Sequence, residues 1–287
     1  MVLGAGGMLG HQILRRLGRC CETVGTLRGE GEPYRLAPAL AGARLRLGVD
    51  AANIHSVARM LDEIRPDAVI NCIGIVKQRE NANDPVCAID INALFPHRLV
   101  RLCRERSIRL VHFSTDCVFS GRRGPYSESD VPDAEDLYGR TKFLGEIGGP
   151  GCLTIRSSVI GREIAGRASL VEWFLAQRGK RIKGFANALY TGLTTLVMAD
   201  LVADLLTRFS TLEGVWHVSS EPISKFDLLE MVNDRYDAGV TIERDDTFFC
   251  DRRLDSSRFR AMTGFVPMPW PSMIEAMHRE QTSYAHG

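Results

Sequence analysis

Three stretches of this 287-residue chain carry residue types whose spacing suits chemistry. The first is GAGGMLGHQILRRLG, residues 4–18, where Gly4, Gly7 and Gly10 stand between the short apolar segment Val2–Leu3 and a helical run. In such a strand-to-helix turn the first glycine permits the tight bend, the second lets the backbone approach a pyrophosphate, and the third lets the helix lie close on the sheet. The N–H groups of Met8 and Leu9, with the positive end of the helix dipole, then face the anion. The second stretch is LYGRTKFLGE, residues 137–146, where Tyr138 and Lys142 lie four apart and share one helix face. An ammonium beside a phenol favours the phenolate, so this spacing predicts an acidified tyrosine, able to protonate a carbonyl oxygen as the carbon receives hydride. The third is FSTDCVFSG, residues 113–121, in which Ser114 and Thr115 follow an apolar strand and stand where open α/β sheets bind their ligands. A hydroxyl there polarises a carbonyl, and Asp116 adjoins it on the substrate side.

Each stretch alone also has a plain structural reading: a glycine turn without ligand, a chance tyrosine and lysine, a capping Ser-Thr-Asp turn. Their occurrence together in this order points to a dinucleotide-dependent oxidoreductase. The second strand, ETVGTLRG, selects the dinucleotide. Arg28 at its end suits a 2′-phosphate and hence NADP, while Glu30 is the rival that would bond a 2′-hydroxyl and admit NAD. Asp50, past the third strand, either accepts from the adenine amino group or caps the helix that follows.

The elements that must position these residues alternate through the first two thirds of the chain. RLRLGV (44–49), DAVINC (67–72) and RLVHFS (109–114) are strand-like, whereas IHSVARMLDEI (54–64) and INALFPHRLVRLCRER (91–106) space their apolar residues as helices do. Strand and helix in turn predict a doubly wound parallel α/β sheet with helices on both faces. From about residue 160 the rhythm loosens into helices at 169–177, 194–209 and 224–236, with a strand at 214–219. The expected organisation is a dinucleotide-binding domain over residues 1–160 and about 187–219, interleaved with a smaller C-terminal substrate lobe over about 161–186 and 220–287.

Composition narrows the function further. An apolar fraction of 45% and a charged fraction of 25% are those of a globular protein, and a net charge of +1 gives no electrostatic reason to expect nucleic acid or an acidic membrane surface. The eight cysteines contain no CxxC pair and the seven histidines no HxxxH or HExxH arrangement, so reduced thiols and no metal site are expected. No apolar run reaches the ~18 residues that a membrane helix needs, and a signal-peptide pattern is lacking at the start. Cytoplasm is the expected location.

The chain resembles the extended short-chain dehydrogenases/reductases, and among them the dTDP-4-dehydrorhamnose reductase group of sugar-nucleotide reductases. The likeness is carried by GAGGMLG, VINCIGI, IDINALFPHRL, STDCVFSG, YGRTK, IRSSVIG and RRLDSSRF. It implies a Rossmann domain for NADP, a lobe for a nucleotide sugar, and a role in polysaccharide biosynthesis. The catalytic triad falls on Thr115, Tyr138 and Lys142, with Ser114 as the alternative hydroxyl, and Lys142 also holding the nicotinamide ribose. Among cofactor residues the resemblance implies Arg156 at the nicotinamide end, Cys72, Ile73 and Gly74 beneath the adenosine ribose and pyrophosphate, and Asn92 at the strand end. The sequence departs from the group at Cys117, where a tyrosine is usual, and at IVKQRE (75–80), which puts Lys77 beside the expected sugar site. Of Arg252 and Arg253, in a loosened Arg-Pro-x-x-Ser motif, one pairs with the substrate diphosphate or bridges the lobes. Two alternatives keep the fold: a sugar-nucleotide epimerase or dehydratase with retained NAD(P), and a non-catalytic NADP-binding regulatory subunit. A homodimer is compatible with all three.

Overall fold

The computed structural model describes residues 1–29, 34, 37–77, 83–280 and 284. Glu30 and residues 78–80 of the IVKQRE segment lie outside them.

The first half builds strand by strand. β1 (Val2–Leu3) leads through the glycine turn into α1 (Gly10–Leu17), followed by β2 (Val24–Thr26), β3 (Arg44–Arg46), α2 (Ile54–Ile64) and β4 (Ala68–Asn71). The next helix is continuous in three parts: α3 (Pro85–Ala88), a π turn over Ile89–Leu94, and α4 (Phe95–Glu105). β5 (Arg109–Ser114), α5 (Leu137–Leu144) and β6 (Cys152–Arg156) complete the half. Beyond it lie β7 (Val159–Ile160), α6 (Leu170–Leu175), β8 (Arg181–Tyr190), β9 (Leu193–Thr194), α7 (Thr195–Thr207) and β10 (Gly214–His217). The chain ends with β11 (Ile223–Ser224), α8 (Lys225–Tyr236), β12 (Thr241–Asp251), α9 (Ser257–Thr263) and α10 (Trp270–Arg279).

Seven parallel strands form the main sheet in the order β10-β6-β5-β4-β1-β2-β3. Strand alternation sends neighbours to opposite faces. Val2 and Val111 pack with Ile13 and Leu14 of α1 and Met198 and Val202 of α7, while Leu3 and Leu110 pack with Val57 of α2 and Phe95 and Leu99 of α4. The chain winds one way from β1 to β3 and the other way from β4 outward. The switch point therefore lies between β1 and β4, where such sheets open a crevice at their carboxyl ends.

A second sheet has the order β11-β8-β12, and β7 pairs with β9. β8 runs unbroken from Arg181 to Tyr190, and the chain then passes through β9 into α7, which packs on α1. Trp270, Met273 and Phe259 of the lobe belong to the same buried cluster as Val2 and Ile13, so one core ties both parts together. Among the described residues no helix is long and apolar enough to cross a membrane.

Candidate active site

Close approach explains the glycine turn. Gly4 has φ +75°, and a Cβ there would lie 3.0 Å from Ile73 Cγ1 and 3.2 Å from the Cys72 carbonyl carbon. A Cβ on Gly10 would overlap the Gly4 carbonyl oxygen, so only glycine lets α1 start this close to the sheet. Gly6, which spacing did not single out, is held the same way: its Cβ would lie 2.8 Å from the Tyr34 ring. Leu9 gives α1 no side-chain cap, and among the described residues the N–H groups of Met8 and Leu9 find no acceptor. This is a ready anion site. His11 supports it from behind. The Gly7 carbonyl can only accept, so His11 Nδ1 donates to it at 2.8 Å, and Nε2 is left to accept from the Tyr284 hydroxyl at 2.6 Å. Burial lowers the imidazole to about 4, which keeps it neutral.

Arg28 is exposed just past β2, open to a ligand. Asp50 lies four residues past β3, and its Oδ1 accepts from Ala52 N at 3.1 Å; α2 takes Asn53 as its N-cap, so Asp50 does not cap that helix.

Across the switch point, the segment after β4 is fixed by asparagines. Asn71 Oδ1 accepts from Ile73 N at 3.1 Å. Asn92, projected from the π turn, accepts from Ile75 N and donates to Ile75 O, both at 2.9 Å. Its amide is spent on that loop and it is 2% exposed, so it holds the cofactor crevice from behind instead of contacting a cofactor. Such single π turns recur where a helix must aim a side chain at a functional site. Gly74 lies exposed above Lys142, since a Cβ there would stand 4.0 Å from the ammonium.

The third element is α5. Asp136 caps it by accepting from Gly139 N at 2.8 Å, and Gly139 lets the helix touch the Cys117 carbonyl, where a Cβ would clash. Tyr138 is thereby brought against Thr115. Thr115 Oγ1 accepts from Cys117 N and donates to Asp116 Oδ1, each at 3.1 Å. Ser114 turns away and donates to Glu146 Oε1 at 2.6 Å, which leaves Thr115 as the hydroxyl beside the phenol.

The expected acidification of Tyr138 is not found. Burial pushes the phenol up, the Cys117 thiol and the Asp116 and Asp136 carboxylates add to this, and only Thr115 opposes. Lys142 donates to the Phe113 carbonyl at 2.6 Å, and burial lowers it to about 8 against the pull of Glu146. The cation over the Tyr138 ring is instead Lys77, 5.9 Å from its centroid and bonded to Asp136 at 2.6 Å. Burial also pushes the Cys117 thiol up to about 12, so it stays neutral.

The remaining arginines divide. Arg156 points inward: its Nε and one terminal nitrogen grip Glu146 at 2.7 Å each, and the other lies 3.3 Å from His217 Nε2. With both partners 6% exposed, this buried pair anchors the turn after α5 to β6 and holds the guanidinium inward. Arg253 is held bidentately by Asp251 through Nε and one terminal nitrogen. Arg252 donates to Phe119 O at 2.9 Å and reaches Cys117 Sγ at 3.6 Å, beside Asp116. Asp116 itself is buried and accepts from Ser158 Oγ at 2.9 Å. Glu146 escaped the sequence reading although it stands four residues past Lys142, the spacing of an ion pair.

A sheet of this winding, with a glycine turn at its switch point and tyrosine, threonine and lysine gathered at the strand ends, defines the extended short-chain dehydrogenase/reductase class. Comparison with known proteins narrows it. The chain belongs to the family described as RmlD substrate binding domain, whose profile matches residues 1–282. It is 37% identical over 147 residues to a dTDP-4-keto-6-deoxy-D-glucose reductase of Streptomyces niveus; the match covers 51% of this chain and 45% of that enzyme, under half its length. It is 29% identical over 231 residues, 77% of this chain and 74% of the relative, to a Haloferax volcanii protein named "Probable low-salt glycan biosynthesis reductase". The fold superposes on a dTDP-4-dehydrorhamnose reductase of Bacillus anthracis, solved with NADP, at a TM-score of 0.76 and 22% identity, covering 97% of this chain and 98% of that one.

Proposed function

We propose that the protein is an NADPH-dependent reductase of a keto group, at C4, on a nucleotide-activated deoxy sugar. The observation that carries this reading is Thr115 beside the Tyr138 phenol, with Lys142 beneath Gly74 on the wall that meets the glycine turn. Reduction of a ketone ends with a proton on oxygen, so its tyrosine must arrive at the reaction with that proton. The names of the relatives agree with this substrate class.

The glycine turn fits a dinucleotide pyrophosphate: positions 4 and 10 tolerate no side chain, and the Met8 and Leu9 N–H groups stand without acceptors at an uncapped helix start. NADPH, when bound, supplies the hydride to the carbonyl carbon. Gly4, Gly7 and Gly10 let the backbone close on the pyrophosphate, Cys72, Ile73 and Gly74 form the opposite wall, and Arg28 serves a 2′-phosphate; NAD remains the second choice. Tyr138 delivers its proton to the carbonyl oxygen while Thr115, its hydroxyl turned from Asp116, donates to the same atom. Lys142, reachable beneath Gly74, binds the nicotinamide ribose. Cytoplasmic location belongs to this reading, since no disulfide joins the described cysteines, as in a reducing compartment, and so does homodimer formation, which sedimentation tests.

The test is a panel of dTDP-, UDP- and GDP-linked 4-keto sugars with NADPH and NADH. Stoichiometric loss of NADPH absorbance with one of them is expected. Turnover of a sugar nucleotide without net loss would make the protein an epimerase or dehydratase, and tight NADP binding with no turnover would make it a regulatory subunit.

A further inference from the structure

Among the described residues, a cation beside the crevice is left without an acceptor. Lys225, the first residue of α8, stands with its ammonium 3.6 Å from the centroid of the Tyr190 ring. Among the described residues it forms no hydrogen bond and no ion pair, although it is only half exposed and Asp116, Cys117, Cys250 and Arg252 all act on it electrostatically. An ammonium withdrawn from water with no acceptor costs free energy unless a ligand completes it. The face of Tyr190 offsets part of that cost and fixes where the charge sits.

Its position relative to Tyr138 gives it a task. Thr115, beside the phenol, donates to Asp116, which also accepts from Ser158, and Arg252 reaches Cys117 Sγ, so Asp116 and Cys117 adjoin both the phenol and the basic pair formed by Lys225 and Arg252. In a pyranose the ring carbons C1 and C4 are opposite corners. A sugar lying over Asp116 and Cys117 with C4 at Tyr138 therefore points its anomeric oxygen, and the diphosphate attached to it, toward Lys225 and Arg252. The other basic candidates are committed elsewhere: Lys77 to Asp136 at the reacting end, and Arg253 to Asp251. Arg252 spends Nε on Phe119 O and makes only long contacts through its terminal nitrogens, so guanidinium donors remain.

We propose that Lys225, with Arg252 beside it, binds the diphosphate of the nucleotide sugar. Lys225 brings the unspent charge and Arg252 a pre-positioned fork. This rests on the keto-sugar reading above, and the following experiment separates the two.

dTDP and UDP serve as probes in calorimetric titrations of wild type, Lys225→Met, Lys225→Gln and Lys225→Arg, with thymidine and uridine as phosphate-free controls. NADPH affinity reports intact folding. Loss of a charge-assisted contact predicts roughly tenfold weaker binding of both diphosphates in Lys225→Met, and in Lys225→Gln should the methionine disturb the crevice. Lys225→Arg should stay within about threefold of wild type, and the nucleosides should be indifferent to all three. Uncharged variants that bind NADPH normally and hold dTDP and UDP as tightly as wild type overturn the diphosphate role alone. A wild-type protein that binds neither diphosphate overturns both this proposal and the sugar-nucleotide reading.

Discussion

The ammonium of Lys142 donates to the main-chain carbonyl of Phe113 at 2.6 Å, joining α5 to the last residues of β5, and it is not among the groups that shift the Tyr138 phenol. The two side chains share a helix face, yet the lysine's charge is directed at the strand. Its first effect is to brace the sheet edge from which Thr115 projects.

That placement has a measurable cost. Burial lowers Lys142 to about 8, while an unfolded chain keeps its lysine near 10.5. Between these values the unfolded state binds more protons, so stability rises with pH through the window and is lost as pH falls through about 8. Lys142→Met should therefore melt a few degrees above wild type at pH 7, with the difference closing by pH 10, while turnover falls about a hundredfold, on the order expected when the reacting groups are misplaced. Thermal unfolding by circular dichroism reads the first. A variant that melts lower at pH 7 would mean that the Phe113 bond outweighs the buried charge.

Tyr138→Phe isolates the proton donor. The ring is half-buried under Lys77 and only the oxygen is removed, so the variant should fold and bind NADPH as wild type does. General acid catalysis contributes on the order of 10²–10⁴ in rate, and kcat should fall by that factor with little change in KM. Steady-state kinetics on an accepted keto sugar decides it, and unchanged kcat would remove the phenol from the reaction.

Glu146 and Arg156 form the buried link beneath the site. Breaking one side of such a pair leaves an uncompensated charge, so Glu146→Gln or Arg156→Met should each lose about 3–5 kcal/mol in urea unfolding, and the double replacement by Leu and Met should recover much of it. Equal losses in single and double variants would show that packing, not charge, is at stake.

Much of this architecture is legible in the sequence, and the parts that are not have physical reasons. The apolar spacing of IHSVARMLDEI and the run RLVHFS coincide with α2 and β5 because each buries one continuous face or strand. β8 and β12 escape notice. The inward positions of β8 are Gly184, Ala186 and Ala188, too small to register as an apolar alternation, and β12 is polar and largely exposed along TIERDDTF. At the site, residue types and positions can be read directly, whereas the state of each group cannot. The phenol of Tyr138 is governed by burial, with Cys117 and Asp116 from another segment adding to it, and Arg156 is withdrawn by Glu146, just past the end of α5. Such shifts arise from contacts that only the fold creates.

The last expectation concerns acid. Burial lowers His11 and His217 to about 4 each, and both are neutral parts of the frame, His11 between Gly7 and Tyr284 and His217 between Tyr126 and Arg156. In the unfolded chain a histidine titrates near 6.5, so between about 6.5 and 4 the unfolded state binds the extra protons. Stability must fall as pH drops through that window, each histidine contributing up to about 1.4 kcal/mol per pH unit. His11→Asn, which can still donate to the Gly7 carbonyl, removes one titrating group and should flatten the slope of unfolding free energy between pH 6 and pH 4.5 by up to that amount. Urea titrations at half-unit steps measure it. Parallel slopes for variant and wild type would mean that the glycine turn does not depend on a neutral imidazole. A flattened slope would tie the cofactor cradle to the C-terminal Tyr284 through that ring.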